Sequence, residues 1–402
     1  MPKILFIDSC LGVGSTGRIT ESIGALATKE GWECHLAHGA RYVGKSSLIS
    51  HPVVSILGEY IHYVYSLLLD RHGLSSTCET KRLINVIKSI SPDVIHLHCI
   101  HGYYLNYKVL FEFLNSTNIP VVWTFHDCWS FTGHCAHFVT AGCDKWMTEC
   151  MGCSLTRDYP KSFVDCSKRN YKIKKDLFTA NNNLTIVTVS KWLKSVSQKS
   201  FFHEYPVNVI YNGVDTSIFY PKTDINIPYI PDDIFVIMGV ATQWEEGKGL
   251  EDYIKLSSML ARDEKIVLVG ISEELSKSLP QNIIGVKRTN SQQELSFLYN
   301  RADVVLSLSS AETFGLTIAE GFACGTPAIV YNNTALPELI TEDTGFVVEN
   351  HNLGELYQKI EAIKINGKSM YSGACRLRAL TEYDKNKRYM DYVDLYNRLI
   401  RK

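Results

Sequence analysis

Residues 3–20, KILFIDSCLGVGSTGRIT, decide the fold that the rest of the chain has to match. An apolar run of strand length leads into a loop with the spacing Gly12-x-Gly14-x-x-Gly17 and then into a helical pattern. Glycines at this spacing let the backbone turn sharply and approach a diphosphate, whose charge is stabilised by the N-terminus of the following helix. The stretch predicts a Rossmann-like strand, loop and helix with a phosphate ligand, although a tight turn without a ligand also fits it.

A nicotinamide cofactor is disfavoured by the next strand. Such a cofactor needs a carboxylate at the end of the second strand, about 20 residues further on, to hold the ribose hydroxyls. The second strand, ECHLAHGAR, offers Ala37, His38 and Gly39 there, while Glu33 lies at its opposite end. Arg41 would at best suit a 2′-phosphate, so the predicted phosphate belongs to another kind of ligand.

Length and composition describe an ordinary soluble protein. At 402 residues the chain is too long for one core, and we expect two domains. A net charge of −1 and a hydrophobic fraction of 45% give no global attraction to nucleic acid, so no nucleic-acid partner is expected. The apolar run at the N-terminus is too short for a secretory signal, which predicts a cytoplasmic protein.

The most apolar later stretch is SILGEYIHYVYSLLLD, residues 55–70. Glu59 and His62 interrupt it, and it falls short of the roughly 20 residues that a membrane span needs. We therefore expect a buried or surface-docked helix.

Two halves of the chain repeat one architecture, in which strand-length apolar runs alternate with helical patterns. The runs of the first half are KILFID, ECHLAH, DVIHLH, VVWTFH and LTIVTVS, and those of the second half are IFVIMGVA, KIVLVG, NIIGV, DVVLSLS, PAIVY and GFVVE. Such alternation predicts parallel sheets covered by helices. The fold class is therefore α/β, with two Rossmann-like domains whose sheets face an interdomain cleft.

The domain boundary is predicted near the Asn212-Gly213 turn and the proline-rich segment that follows it. We assign residues 1–206 to an N-terminal domain and residues 207–385 to a C-terminal domain. Residues 386–402 are predicted to form a helix that packs back on the N-terminal domain.

The segment SSAETFGLTIAEGFACGTP, which follows the strand DVVLSLS, carries the most specific chemical signal. Glu312 and Glu320 are eight positions apart, and Phe314-Gly315 opens a helix between them. Because eight residues make about two helical turns, both carboxylates can lie along one side of a site. Backbone N–H groups near Gly315 would meet a phosphate there. The alternative is a pair of ordinary helix-start and solvent-facing carboxylates.

Together these motifs resemble the retaining glycosyltransferases of the GT-B architecture, specifically the Glu-x7-Glu family of the glycosyltransferase family 4 type. The resemblance covers nearly the whole chain and extends to the branch that builds bacterial exopolysaccharide, capsule and colanic acid. Besides Glu312-x7-Glu320 and the glycine loop it rests on TFHD, VSKWL, NGVDTSIF, Lys248-Gly249, and GTPAIVYNN followed by Pro337-Glu338.

The resemblance implies a role for each matching residue. Glu320 would hold the ribose hydroxyls of the donor, and Glu312 would address the sugar near the reacting carbon. Lys248 would neutralise the diphosphate leaving group, while His126 would hydrogen-bond the donor sugar, although an isolated histidine is more often a core residue. The remaining implied donor-binding residues are Gly14, Ser15, Thr16, Phe314, Gly315 and Leu316.

The resemblance also implies the reaction. A sugar would pass from a UDP- or GDP-sugar to a glycan or lipid-linked acceptor with retention of configuration, in bacterial surface polysaccharide biosynthesis. No cofactor or bound divalent metal is expected to be required, because Lys248 and the helix that opens at Gly315 can stabilise the phosphates. A nucleotide-sugar epimerase of the same shape and a non-catalytic nucleotide-sugar binder are the alternatives.

One position departs from the family pattern. The family carries an arginine about five residues before the lysine, whereas GVATQWEEGKG has Gln243 there. Either Lys248 acts alone, or a cation from the loop GVKRTN substitutes, with Lys287 and Arg288 as candidates. Arg288 could equally be a solvated loop residue.

Residues 128–153 form a loop with five cysteines, namely Cys128, Cys135, Cys143, Cys150 and Cys153. The final Cys-x-x-Cys could be half of a structural zinc site, but the remaining spacing is irregular. Reduced or disulfide-linked loop cysteines are the alternative.

The segment SKRNYKIKKDLF, residues 167–178, is predicted to form a basic helix. It carries Lys168, Arg169, Lys172, Lys174 and Lys175. A solvated charged face explains them, and the second interpretation is peripheral contact with the inner face of the cytoplasmic membrane, where a lipid-linked acceptor would lie.

Overall fold

A computed structural model describes residues 1–223, 225, 227–244 and 247–401 of the chain. The chain divides into two compact units. The first comprises residues 1–210 and 386–402, and the second comprises residues 211–385. Lys402, the last residue of the predicted C-terminal helix, lies outside the described residues, as do Glu245 and Glu246 of the GVATQWEEGKG motif.

The first unit is built on a parallel sheet of seven strands in the order β3-β2-β1-β4-β5-β6-β7. The strands are β1 Lys3–Leu11, β2 Glu33–Val43, β3 Ile49–Pro52, β4 Val94–Leu97, β5 Val121–Phe125, β6 Leu184–Thr188 and β7 Val207–Val209. The central strands are apolar along their whole length because helices cover both faces of a parallel sheet. Every residue of β4 and β5 is buried.

Among the described residues, seven α-helices accompany this sheet. They are α1 Gly14–Lys29, α2 Ile56–Leu69, α3 Thr77–Ile90, α4 Tyr107–Leu114, α5 Ser167–Phe178, α6 Lys191–Gln198 and, from the end of the chain, α13 Lys385–Ile400. α13 packs into the core beside β1 and β4. Its buried Tyr396 hydroxyl lies 2.6 Å from His96 Nδ1, and its Tyr392 hydroxyl accepts a hydrogen bond from Thr124 at 3.2 Å. The last helix is therefore part of the first unit's core.

The second unit contains a parallel sheet of six strands in the order β10-β9-β8-β11-β12-β13. The strands are β8 Phe235–Val240, β9 Glu264–Val269, β10 Ile283–Val286, β11 Val304–Ser307, β12 Ala328–Tyr331 and β13 Gly345–Val348. Its helices are α7 Leu250–Ser257, α8 Glu273–Ser276, α9 Gln292–Arg301, α10 Leu316–Ala323, α11 Leu353–Asn366 and α12 Ser369–Glu382. The prediction of two parallel-sheet, Rossmann-like α/β domains is confirmed.

Short edge strands are the main additions to the predicted pattern. β3 and β7 are four and three residues long, and neither carries a strong apolar run. β7 follows the predicted boundary at 206/207 but pairs with β6 in the first sheet, and the second unit begins at Tyr211. β2 continues past Gly39 to Val43, and no carboxylate stands at its end.

Two helices show which side chains they bury. The helix α2 buries Glu59, His62 and Ser66 while its apolar side chains are mostly exposed, so of the two expected alternatives it is surface-docked and not fully buried. In α5, Lys174 is 1% exposed and is therefore not part of a solvated face. Within the described residues, no helix combines the length and apolar character required to cross a bilayer.

Candidate functional site

The glycine loop after β1 leads directly into α1, which begins at Gly14. Gly14 and Ser15 are exposed and Thr16 is half-buried. Val13, the residue before the helix, offers no side-chain hydrogen bond to the first turn. The first N–H groups of α1 are therefore available to an anion, which the positive end of the helix favours.

Glycine occupies the three positions of this loop for different physical reasons. A Cβ on Gly12 would lie 2.1 Å from the Lys45 carbonyl oxygen, and a Cβ on Gly17 would lie 2.9 Å from Cys10 Cβ. Both positions therefore need glycine for packing. Gly14 has a φ of +71° and no atom within 4 Å of an added Cβ, which leaves open space at the start of the helix.

His126 directly follows β5, at the same edge of the sheet as the glycine loop. Its Nε2 lies 2.9 Å from Nδ1 of His98, which follows the neighbouring strand β4. Burial lowers the pKa of His126 to about 4, outweighing the opposite effect of Asp127. The imidazole of His126 is therefore neutral at physiological pH and can donate or accept a hydrogen bond.

Asp127 and His101 form a second pair beside His126. His101 Nε2 lies 2.9 Å from Asp127 Oδ2, and His101 Nδ1 lies 3.0 Å from the Tyr159 hydroxyl. Burial alone would raise the pKa of Asp127, but His101, His137 and the Trp129 backbone N–H together outweigh burial and hold this pKa below its usual range. No motif in the sequence indicated His98 or His101, although His98 directly follows an apolar strand just as His126 does.

In the second unit the structure brings Lys248 and Glu312 together. Lys248 Nζ donates to Glu312 Oε1 at 2.6 Å, and the two side chains are 38% and 26% exposed. Lys248 lies between β8 and α7, and Glu312 lies between β11 and α10. Because β8 and β11 are neighbours in a parallel sheet, both residues lie at the same sheet edge.

The backbone around this ion pair is fixed. Gly249 has a φ of +76°, and an added Cβ would lie 2.3 Å from the Leu308 carbonyl oxygen, so no other residue fits next to Lys248. The backbone N–H of Glu312 donates to Thr334 Oγ1 at 2.8 Å, and the same hydroxyl donates back to the Glu312 carbonyl at 2.7 Å. Thr334 therefore holds Glu312 in place, a role that the sequence alone did not reveal.

The helix α10 begins beside Glu312. Gly315, with a φ of +97°, precedes it without a side-chain cap, so the first N–H groups of an eight-residue helix are open to an anion. Leu316 is half-buried at its first position. Phe314 is 3% exposed and packs between Tyr211 and Tyr383, at ring distances of 5.9 and 5.6 Å. The Phe314 ring belongs to the core, and its backbone positions Gly315.

Glu320 lies within α10 and is 8% exposed. The Tyr299 hydroxyl donates to Glu320 Oε2 at 3.1 Å, which supports the carboxylate in a buried position. Tyr299 belongs to α9, and nothing in its sequence context indicates this contact. The two glutamates thus have different surroundings, since Glu312 pairs with a lysine and Glu320 receives a tyrosine hydroxyl.

The two candidate substitutes for the missing arginine lie after β10 and are exposed. Lys287 forms an exposed ion pair with Glu273 at 3.0 Å. In the sheet order β9 separates β10 from β8, so the start of this loop lies two strand spacings, roughly 10 Å, from the end of β8. Gln243, just after β8, is exposed.

The cysteine loop is held by packing and hydrogen bonds. Lys174 Nζ donates to the Trp129 carbonyl at 2.6 Å and to the Thr132 carbonyl at 3.0 Å. Cys150 Sγ lies 3.2 Å from the Gly133 backbone nitrogen. Burial lowers the pKa of Lys174 to about 7.

All twelve cysteines are free thiols, so the loop is not disulfide-linked. Across the described part of the chain, no group of three or more His, Cys, Asp or Glu side chains is arranged to hold a metal ion. The arrangement therefore does not provide the zinc site that the Cys150-x-x-Cys153 spacing allowed.

Comparison with known protein families gives two matches that together span most of the chain. The sequence model described as "Glycosyltransferase Family 4" matches residues 23–218. The model described as "Glycosyl transferases group 1" matches residues 229–372.

Individual proteins resemble the chain over its full length. WcaC of Escherichia coli (strain K12), which is named as a glycosyl transferase of colanic acid biosynthesis, is 24% identical over 99% of this chain and 100% of its own. Sucrose-phosphate synthase from Thermosynechococcus elongatus superposes with a TM-score of 0.75, at 15% identity and full coverage of both chains. Anabaena Alr3699/HepE in complex with UDP-glucose superposes with a TM-score of 0.64, at 15% identity, covering 99% of this chain and 100% of that one.

Two parallel-sheet α/β units, each with a glycine at the start of a helix beside its sheet edge, define the GT-B class of fold. Within that class the spacing Glu312-x7-Glu320 and both family matches agree. The chain belongs to the GT-B glycosyltransferases of the family 4 type.

The lowered pKa of His126 predicts a pH-dependent stability of the first unit. The imidazole titrates near 4 in the folded chain and at about 6.5 when unfolded, so in between only the unfolded state binds the proton. The contribution of neutral His126 to the free energy of unfolding is fully present above about pH 6.5 and is lost as the pH falls toward 4. His126→Gln should reduce this slope in urea unfolding measured at several pH values.

His203→Gln is the matched control, because the His203 side chain is 65% exposed in the same unit and should leave the slope unchanged. An identical slope for wild type and His126→Gln would contradict the assignment of a neutral His126.

Proposed function

We propose that this glycosyltransferase moves a sugar from a UDP- or GDP-sugar to a glycan or lipid-linked acceptor, with retention of anomeric configuration, in bacterial exopolysaccharide biosynthesis. The observation that carries the proposal is the Lys248–Glu312 ion pair beside the N-terminus of α10. The name of WcaC supports the pathway, and the UDP-glucose complex of the Anabaena protein supports the class of donor.

The chemistry needs a group that accepts charge on the diphosphate as the sugar–phosphate bond breaks. The Lys248 ammonium and the open N–H groups at the start of α10 are cationic or dipolar groups fixed before the reaction. Fixed charges of this kind lower the barrier because no reorganisation is required when the leaving group develops its charge.

Glu312 has two functions in this proposal. In the free protein it holds the Lys248 ammonium at 2.6 Å. When a diphosphate shares that lysine, the carboxylate can accept hydrogen bonds from sugar hydroxyls near the reacting carbon. As the ring acquires oxocarbenium-like positive charge, a nearby carboxylate stabilises it electrostatically.

Glu320 is assigned to the ribose. Its buried position and its hydrogen bond from Tyr299 leave the carboxylate oriented, and oriented carboxylates suit paired ribose hydroxyls. In the first unit, we assign neutral His126 to a hydrogen bond with the donor sugar and the Gly14–Thr16 backbone to an anionic group of the substrate.

The first test is a thermal-shift panel of UDP-, GDP- and ADP-sugars in the presence of EDTA. At least one UDP- or GDP-sugar should raise the melting temperature, because a ligand that binds only the folded state stabilises it by mass action. Radiolabel from that donor should then enter an extracted lipid-linked glycan fraction, and the anomeric configuration of the product is read by NMR.

Stabilisation or transfer that requires added magnesium or manganese would contradict the metal-free mechanism. Conversion of the donor sugar to its epimer without an acceptor would indicate an epimerase, and stabilisation without turnover would indicate a binder.

The two glutamates should fail in different ways. Glu320→Gln should weaken donor binding, whereas Glu312→Gln should mainly lower kcat, because only Glu312 is assigned near the bond that breaks. Release of Lys248 from its ion pair should preserve diphosphate binding in Glu312→Gln. Calorimetric titration with donor and steady-state kinetics measure the two effects separately. Wild-type kcat/KM in both variants would overturn these assignments.

The exposed loop after β10 offers a matched pair of variants for the missing arginine. If Arg288 compensates for Gln243, Arg288→Ala should lower kcat/KM severely, by about 2 to 4 kcal/mol of transition-state stabilisation. Lys287→Ala removes the neighbouring charge, which is paired with Glu273, and should have little effect. Near-normal transfer by Arg288→Ala would exclude compensation by this residue and leave Lys248 as the cation of the site.

A further inference from the structure

The helix α2 has its polarity reversed relative to an ordinary surface helix. Its buried stripe at positions 59, 62 and 66 consists of Glu59, His62 and Ser66. Its outward face consists of large apolar side chains that are 44–68% exposed, namely Ile56, Leu57, Tyr60, Ile61, Tyr65, Leu68 and Leu69. A surface helix normally turns its apolar stripe to the core and its charges to water.

Two of the three buried polar side chains, Glu59 and His62, have hydrogen-bond partners within the first unit. Glu59 Oε1 accepts the backbone N–H groups of Ala40 at 2.5 Å and Arg41 at 3.3 Å. His62 accepts the Gly73 N–H at 3.0 Å through Nε2, and burial lowers its pKa to about 3, so the ring is neutral. The reversed polarity is therefore a stable arrangement of the fold, and the outward apolar face remains to be explained.

The apolar surface continues beyond the helix onto the following loop. Phe163 and Val164 are 54% and 41% exposed. The Phe163 N–H donates to the Leu67 carbonyl of α2 at 2.8 Å, which places Phe163 beside the helix. We call the outward face of α2 together with Phe163 and Val164 the apolar face. Several large apolar side chains exposed side by side are characteristic of interaction sites.

The segment that carries Phe163 and Val164 continues into the helix α5 and is basic, and we call the exposed cations of residues 157–175 the basic border. Between residues 157 and 175 the exposed charges are six cations, Arg157, Lys161, Lys168, Arg169, Lys172 and Lys175, and two carboxylates, Asp158 and Asp165. The Arg157 guanidinium lies 5.4 Å from the Phe163 ring centre. Arg169 donates to the Leu69 carbonyl at 3.3 Å, at the end of α2. Positive charge therefore directly adjoins the apolar face.

Two of these cations also form ion pairs. Lys168 Nζ lies 3.2 Å from Glu149, and Lys172 Nζ lies 3.2 Å from Asp176. All four side chains are at least 43% exposed, so these pairs are weak and leave the cations accessible to other anions.

We propose that the apolar face inserts into the interfacial region of a membrane that contains anionic lipids, with the basic border contacting the lipid phosphates. The 14 residues of α2 make a helix about 21 Å long, which lies in the plane of the interface. Tyrosines such as Tyr60 and Tyr65 suit the boundary between headgroups and acyl chains.

The charges favour a lipid surface over a second copy of the chain. A twofold contact through the apolar face would bring two basic borders toward each other, which costs electrostatic energy. An anionic bilayer presents the opposite charge across its whole surface. The outward face of α2 itself carries no charged side chain, as insertion requires.

The membrane proposal rests on the proposed function in one respect only. The proposed function supplies the reason for docking, which is access to a lipid-linked acceptor. The test therefore measures vesicle binding, and donor binding is followed separately by thermal shift. If a variant loses vesicle binding but still binds the donor, the loss is due to the apolar face and leaves the proposed function intact.

The full-length protein is sedimented with phosphatidylcholine vesicles prepared with and without phosphatidylglycerol. Wild type should bind the anionic vesicles, and added salt should weaken the binding. Ile61→Ser/Leu68→Ser should lower the affinity roughly tenfold or more, because two inserted side chains are lost. Ile365→Ser/Leu377→Ser is the matched control. It removes the same residue types at 81% and 62% exposure from the second unit, and should bind as wild type.

Several results would overturn the proposal. These are no binding of wild type to anionic vesicles, equal binding by wild type and Ile61→Ser/Leu68→Ser, or equal loss in both double variants. A wild-type dimer in light scattering that becomes monomeric in Ile61→Ser/Leu68→Ser would assign the apolar face to a second copy. Leu57→Ser/Phe163→Ser, with the same expected loss, repeats the test if the first variant does not fold.

Discussion

Parallel strand pairing is the constraint on which the rest of this protein depends. Every connection between neighbouring parallel strands crosses a face of the sheet, so the carboxyl ends of the strands share one edge. In the first unit this places the glycine loop after β1 at the same edge as His126 after β5. In the second unit it places Lys248, after β8, beside Glu312, after β11. Within each unit, residues far apart in sequence thereby come together at one sheet edge without any local signal that joins them.

Opposite charges balance each other at the edge of the second sheet. Lys248 is held by Glu312, and the neutral Gln243 stands where the resemblance implies a second cation. Within the described residues of this edge, Lys248 and the start of α10 are the positive groups that we assign to the diphosphate. We assign the carboxylate that holds this lysine to the donor sugar as well, so under the proposal donor binding and reaction are coupled through Glu312.

The fold could be predicted from the sequence because its central strands are continuous apolar runs, a direct consequence of burial on both faces. The edge strands β3 and β7 could not, since short strands with one neighbour need little apolar surface. The Lys248–Glu312 pair was foreseeable only as two separate motifs. Tyr299 and Thr334 gave no signal, because their contacts depend on tertiary packing. Composition alone could not show which side of α2 is buried, for a related reason. The backbone groups that bind buried Glu59 belong to β2, which is distant in sequence.

The central claim is that Lys248 binds the diphosphate of the donor. The most direct measurement is calorimetric titration of UDP and GDP into wild type, Lys248→Ala and Lys255→Ala, in EDTA. Lys255 is the matched control, because it is 61% exposed on the adjacent helix α7. If Lys248 binds the diphosphate, one of the two nucleotides should bind wild type and Lys255→Ala with the same affinity. It should bind Lys248→Ala roughly tenfold to a hundredfold more weakly. Equal affinity for all three folded proteins would contradict it.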